Sequence, residues 1–220
     1  MRLLIMGAPG AGKGTQAIAL AALVDGPHIS TGDLFRSNIA QGTELGRLAE
    51  KYISAGEYVP DSVTDDMVRD RLAAPDAREA FVLDGYPRTS SQVASLDALL
   101  AERGLAIDGA VELVVPEAEL VDRLVARAAV SGRSDDTADV VRHRLGVYAA
   151  QTAPLLAAYG ERGLLRRVDG TGSVEEVRRR VGEVVLGNLV KAAARGEDPS
   201  PRPTSSTSES RPATPAEPPR

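Results

Sequence analysis

A chain of 220 residues, 43% hydrophobic and 26% charged, has room for one sizeable α/β core with small appendages. Its net charge of −5 argues against a general nucleic-acid or membrane-surface binder, so any anion it holds must be met by locally concentrated arginines. Without cysteine there is no disulfide framework or thiolate metal site; the widely separated His28 and His143 do not suggest a metal site either, and both read as packing or surface residues.

The first apolar run, residues 3–6, suits a buried strand and stops at glycines instead of extending into the apolar stretch of a signal peptide. No run of transmembrane length follows, so a cytoplasmic location is expected. Gly7-Ala8-Pro9-Gly10-Ala11-Gly12-Lys13-Gly14-Thr15 comes next and opens an Ala- and Leu-rich helical stretch over 13–24. Glycines at these positions let successive backbone N–H groups turn inward toward an anion, and the helix dipole and Lys13 add positive charge at the same spot. The run therefore reads as a phosphate cradle for a polyphosphate. It departs from the generic phosphate loop in one respect: Gly14 follows the lysine, and Thr15 carries the hydroxyl.

Residues 27–30 read as a short strand, and Thr31-Gly32-Asp33 has the residue types of a helix start. Helical stretches follow over 34–40 and 44–55, divided by Gly42; Gly56-Glu57-Tyr58-Val59-Pro60 breaks the pattern, and Asp61 begins a helix running to about 73. The buried strand 80–84 ends in Gly85-Tyr86-Pro87-Arg88, a helix spans 90–103, and a strand spans 110–115. Pro116 suits the first turn of a helix to about 128. After the polar loop 131–136, a long helix over 137–159 with a kink at Pro154, a strand at 164–168 and a last helix over 174–195 complete the pattern. Apolar strands alternating with helices predict a three-layer α/β fold around a mainly parallel sheet of five strands. Ligands of such folds sit beyond the C-terminal strand ends, which puts the glycine loop, Thr31, residues 84–88 and residues 169–172 around one crevice.

From Glu197 the composition changes: seven of the fourteen prolines fall in the last 24 residues, whose only apolar residues are Ala213 and Ala216. Such a segment cannot bury enough surface to offset the entropy of ordering, so residues 197–220 are expected to be a disordered tail dispensable for folding of the domain 1–196; a Pro-rich docking ligand is the alternative reading.

Taken together, GAPGAGKGTQ (7–16), STGDLFR (30–36), LDGYPRT (83–89), GRSDD (132–136) and VDGTG (168–172) closely resemble the adenylate kinase family over residues 1 to about 190. The resemblance implies a P-loop nucleoside monophosphate kinase that converts ATP and AMP reversibly into two ADP with Mg2+, as a monomer. It implies a mobile monophosphate-binding section at 30–59 and a lid at 128–136. Only a handful of residues separate Arg127 from Arg133, so a lid β-domain with structural zinc is not expected. By the same resemblance Gly10, Ala11, Gly12, Lys13, Gly14 and Thr15 hold ATP phosphates, with Arg123 and Arg127 beside them and Gly172 at the adenine. Thr31, Arg36, the backbone of Glu57, Tyr58 and Val59, then Gly85, Tyr86, Pro87, Arg88 and Gln92 hold AMP. Arg133 and Arg144 embrace the transferring phosphates, Asp135 and Asp136 position the lid arginines, and Asp84 serves the water shell of the metal. Phe35 and Tyr86 stand where the family more often has an aliphatic residue and phenylalanine.

An AMP phosphate, with a second pKa near 6 by analogy with phosphorylated side chains, needs no general base at neutral pH. The obstacle is repulsion between anions and in-line placement, which explains a set rich in arginine, whose planar fork fits phosphate oxygens. Water is the competing acceptor, so closure of 30–59 and 128–136 over the crevice is expected, hinged near Gly56 and Gly132. Each residue has a plainer reading that sequence leaves open: Arg123 pairs with Glu119 along a helix, Arg133 and Arg144 pair with Asp135, Asp136 or Asp139, Arg36 and Arg127 are solvated, Asp84 caps a loop, and Gln92 is a surface residue. Two alternative functions remain open as well, a pyrimidine-preferring monophosphate kinase and a non-catalytic nucleotide-binding module.

Overall fold

The computed structural model describes residues 1–131 and 137–194. Five strands form one parallel sheet in the order β2-β3-β1-β4-β5: β1 Arg2–Met6, β2 His28–Ser30, β3 Phe81–Asp84, β4 Gly109–Val114 and β5 Leu165–Asp169. Every expected strand is present, with ends shifted by a residue. β1 lies at the centre, where all five of its residues are buried, as a strand covered on both faces requires. The register aligns Ile5 with Asp84 of β3, and Ser30 of β2 with the same residue, so these strands end at one level.

The sheet divides two apolar layers. Leu4, Met6, Phe81 and Leu83 point to one, against α4 (Asp61–Ala73), α5 (Ser90–Ala101) and α8 (Ala153–Glu161). Leu3, Ile5, Val82 and Val111 point to the other, against α1 (Lys13–Val24) and α9 (Val174–Ala194). This alternation is the two-residue period of a strand. A third, smaller cluster of Phe35, Ala49 and Val59 holds α2 (Thr31–Ala40) to α3 (Glu44–Ile53), separately from both layers. The remaining α-helices among the described residues are α6 (Glu117–Ser131) and α7 (Ala138–Val147). Among the described residues no helix is long and apolar enough to cross a membrane.

Two expectations change in detail. α2 starts earlier than 34: the Ser30 side chain accepts from the Asp33 N–H at 3.2 Å, so Ser30 is the cap and Thr31-Gly32-Asp33 is the first turn. The long helix expected over 137–159 is two helices, α7 and α8, joined by a π-helical turn at Tyr148–Thr152. Pro154 explains the change of hydrogen-bonding pattern within this continuous helical stretch, because it has no N–H to give the preceding turn and falls at the start of α8 instead. The expected lid residues Gly132, Arg133, Asp135 and Asp136 and the tail 197–220 lie outside the described residues.

Candidate active site

Beyond the C-terminal ends of β1 and β3 lie two adjoining cavities. The wider, about 930 Å3, runs along the glycine loop, the start of α1 and α6; the narrower, about 120 Å3, lies between α2, residues 56–59 and residues 85–92. Lys13, Arg36, Arg88 and Arg144 line both, so the two spaces share a wall of four cationic side chains.

The wide cavity is built on backbone. Gly10 has φ +87°, and a Cβ there would stand 2.8 Å from the Leu120 carbonyl oxygen, so only glycine lets the loop pass α6. α2, α3 and α5 each begin with a hydroxyl cap, from Ser30, Thr43 and Thr89. α1 begins at Gly12 in the left-handed region, and among the described residues no side chain caps it. Its first N–H groups are thus left for an anion. Lys13 donates to the carbonyls of Gly7 at 2.8 Å and Ala8 at 2.9 Å, which bends its ammonium back over the loop. Burial brings that ammonium down to about 8; Asp84 opposes the shift, and the charges of Arg88, Arg144 and Arg127 add to it.

Gly10, Gly12, Gly14, Thr15, Arg123 and Arg127 all line the wide cavity; Ala11 is buried behind the loop. Arg123 donates to Glu119 at 2.6 Å and to the Gly170 carbonyl at 2.9 Å, so the helical pair and the cavity position coexist. Gly172, at φ +94°, lies in the loop before α9, where a Cβ would stand 2.7 Å from Glu176. Asp84, buried at the end of β3, also faces the wide cavity, and a Cβ on Gly14 would stand 3.5 Å from its Oδ2.

The narrow cavity is built on side-chain bonds. The Gly85 carbonyl accepts from Thr31 Oγ1 at 2.9 Å and from Arg88 Nε at 2.6 Å; Gly85 has φ +79°, and a Cβ there would stand 2.8 Å from both Thr31 Oγ1 and Arg88 Nη2. Gln92, whose plainer reading was a surface residue, is buried. Its Oε1 accepts from the Arg88 N–H and its Nε2 donates to Asp61 Oδ1, both at 2.7 Å, an arrangement that fixes which way the amide faces. Asp61 Oδ2 accepts from Thr89 at 2.7 Å. Tyr86, buried, donates to Asp65 at 2.7 Å, and burial with that partner pushes its phenol far up from the ordinary value. Arg36 pairs with Asp33 at 2.6 Å on the cavity rim. Glu57, Tyr58, Val59 and Pro87 complete the lining.

Sequence reasoning missed four contributors. His28 is not simple packing: its buried Nε2 stands 3.5 Å from Asp84 Oδ2 and it lines the wide cavity. His143, on α7, is exposed but pairs with Glu57 at 2.5 Å, across to the 56–59 segment. Asp61 looked like a helix start only, and Thr152 lay inside an expected helix. The signal for Thr152 was Pro154 two residues on, since a proline within a helix marks a local rearrangement.

The residues suit a magnesium ion carried on a nucleotide. Asp84 and Thr15 offer hard oxygen donors to the wide cavity, while among the described residues no three His, Cys, Asp or Glu side chains converge to make a cage. A cation here would rest on polyphosphate and waters with few protein ligands.

A parallel sheet, a glycine loop opening an uncapped helix and a cation-lined double cavity define a P-loop protein that accommodates phosphorylated ligands. A family model described as adenylate kinase matches residues 5–164. The chain is 52% identical to the adenylate kinase of Thermobifida fusca over 180 residues, 82% of this chain and 95% of that protein. It is 53% identical to that of Kocuria rhizophila, over 82% of this chain and 96% of the relative, and 54% identical to that of a Nocardioides species, over 82% and 95%. The chain belongs to the adenylate kinase family.

Proposed function

We infer that this chain transfers a phosphoryl group reversibly from ATP to AMP, giving two ADP. One observation carries the reading: two cavities of different size share a wall formed by Lys13, Arg36, Arg88 and Arg144. A switch protein needs one phosphate site; a cationic wall between two sites is what a reaction between two anions requires. Two unit charges about 4 Å apart interact by roughly 4 kcal/mol at an effective dielectric near 20, so several cations aimed at one point can offset the repulsion between donor and acceptor phosphates.

In this reading ATP phosphates occupy the loop from Gly10 to Thr15, held by the amides of α1 and by Lys13, with Arg123 and Arg127 alongside and Gly172 near the base. AMP enters the narrow cavity. Its phosphate meets Arg36, Arg88 and Arg144, with Arg133 joining from the lid, and its base meets Thr31, Gln92 and the 56–59 backbone. Gln92 keeps one donor hydrogen and one acceptor lone pair beyond its two protein bonds, matching the amino group and ring nitrogen side by side on adenine. Because Asp61 and the Arg88 N–H fix the amide, Gln92 cannot invert its pattern without losing both bonds. Mg2+, when bound, supplies charge neutralisation at the transferring phosphates, and Asp84 and Thr15 are the residues that would hold its shell. We propose further that the enzyme acts as a cytoplasmic monomer and that residues 1–196 suffice.

The test is ADP formation by purified protein given ATP, Mg2+ and, in turn, AMP, CMP, UMP or GMP. The reading expects AMP to be used best. Preference for CMP or UMP would make it a pyrimidine monophosphate kinase, and binding without turnover a nucleotide-binding module.

A further inference from the structure

We propose that the side chain of Tyr58, through Thr152, is a positioning device that sets the plane of the Arg88 guanidinium for the acceptor phosphate. The proposal rests on the AMP-site reading above and adds to it, since that reading uses only the Tyr58 backbone.

The geometry is a closed circuit of three residues, which returns to Arg88 through its backbone carbonyl. Arg88 Cζ stands 4.9 Å from the centroid of the Tyr58 ring, so the ring covers one face of the guanidinium. The Tyr58 hydroxyl lies 2.8 Å from Thr152 Oγ1, and Thr152 Oγ1 donates to the Arg88 carbonyl at 3.0 Å. Thr152 has one hydroxyl hydrogen and spends it on that carbonyl, so the tyrosine must be the donor in the other bond. The chain of bonds thus runs one way, from Tyr58 to Thr152 to the backbone of Arg88, an arrangement in which each bond polarises the next. Arg88 Nε is already tied to the Gly85 carbonyl at 2.6 Å. With one face covered and Nε fixed, the terminal nitrogens are left in a defined plane at the wall between the cavities.

The circuit joins segments that sequence keeps far apart. Tyr58 follows α3, Arg88 follows β3, and Thr152 closes the π-helical turn after α7, the helix that carries Arg144. Next to Tyr58, a Cβ on Gly56 would stand 3.0 Å from both Arg144 Cγ and Val140 Cγ1, so the 56–59 segment also lies against α7. Packing alone does not account for Tyr58. It is half-buried and belongs to none of the three apolar clusters of the described residues, whereas its neighbour Val59 is in the third. Thr152 is a buried hydroxyl on an apolar helix, and its two partners are the other members of the circuit.

The experiment compares the full chain with Tyr58→Leu, Tyr58→Phe, Thr152→Val, Thr152→Ser and the double variant Y58F/T152V. Steady-state constants for ATP and AMP, AMP Kd by calorimetry and thermal melting are measured for each. Tyr58→Leu is expected to raise the AMP KM and Kd about fivefold to tenfold and lower kcat, with the ATP KM within about twofold of wild type. Tyr58→Phe keeps the ring and loses only the hydrogen bond, so it falls between wild type and Tyr58→Leu. Thr152→Val breaks both bonds of the circuit and is at least as damaging to the AMP constants as Tyr58→Phe, the double variant is no worse than Thr152→Val, and Thr152→Ser restores wild-type constants. A Tyr58→Leu variant with unchanged AMP constants, or one whose ATP and AMP constants rise together with a loss of melting temperature, overturns the proposal. If the wild type binds AMP yet forms no ADP, the kinase reading fails separately, and the AMP Kd series still decides the role of Tyr58.

Discussion

At the N-terminal ends of β1 and β4, Arg2 and Asp108 meet in a two-pronged pair, Nε to Oδ2 at 2.9 Å and Nη2 to Oδ1 at 2.8 Å, with side chains 7% and 1% exposed. Asp108 also accepts from the Arg2 backbone N–H at 2.6 Å. At the opposite end of the sheet, beyond β1 and β3, Lys13 and Arg88 are held by carbonyls, those of Gly7, Ala8 and Gly85. Carbonyl dipoles fix a cation in place without cancelling its charge, whereas a carboxylate does both. One end of the sheet is therefore neutralised and closed, and the other is oriented and left positive. Charge kept at a cavity wall serves a ligand that brings the opposite sign; charge cancelled inside serves the fold.

That contrast can be broken from either side. Lys13→Ala and Arg88→Ala remove charge at the open end, so each should cut turnover by orders of magnitude, about 10²-fold or more, while melting temperature stays close to wild type. Steady-state kinetics with parallel melts checks this, and wild-type rates would remove both residues from the site. Asp108→Ala removes the carboxylate that the buried Arg2 guanidinium bonds at the closed end. It should cost about 3–5 kcal/mol of stability, a melting temperature roughly 6–20 °C lower, with kcat retained at temperatures where the variant is folded.

A gentler probe is pH. Burial holds the Lys13 ammonium at about 8 in the ligand-free enzyme, and bound phosphates would raise it. A group whose bound pKa exceeds its free pKa contributes affinity fully below the free value and loses it as pH rises toward the bound one. ATP binding should therefore weaken above pH 8, by up to about tenfold per unit, with proton uptake on binding in that range. Calorimetry in buffers of different ionisation enthalpy measures the uptake, and pH-independent affinity through that range would show that the Lys13 charge contributes nothing to the site. The smallest effect is expected from truncation after Gly196, which should leave kcat and both KM values unchanged; a large loss would show that residues 197–220 take part.

The chain's local chemistry made much of this visible in advance. Alternating apolar strands and helices, with glycine, proline or a capping residue at most junctions, are short-range patterns, so the five strands and the crevice beyond their C-terminal ends could be read directly. The glycine loop was legible for the same reason, since turn geometry and an uncapped helix start are written in consecutive residues. Side-chain pairing was not. Why Arg123 reaches the Gly170 carbonyl as well as Glu119, why Gln92 is buried, and how Asp61, Thr152 and Tyr58 converge on Arg88 depend on contacts between residues tens of positions apart. Sequence period specifies which face of an element is apolar; only packing of one element on another selects the partners of the polar groups at its end. The fold was thus determined by pattern, and the wiring of the site by tertiary structure, because hydrogen bonds are set by distances of a few tenths of an ångström that no local periodicity encodes.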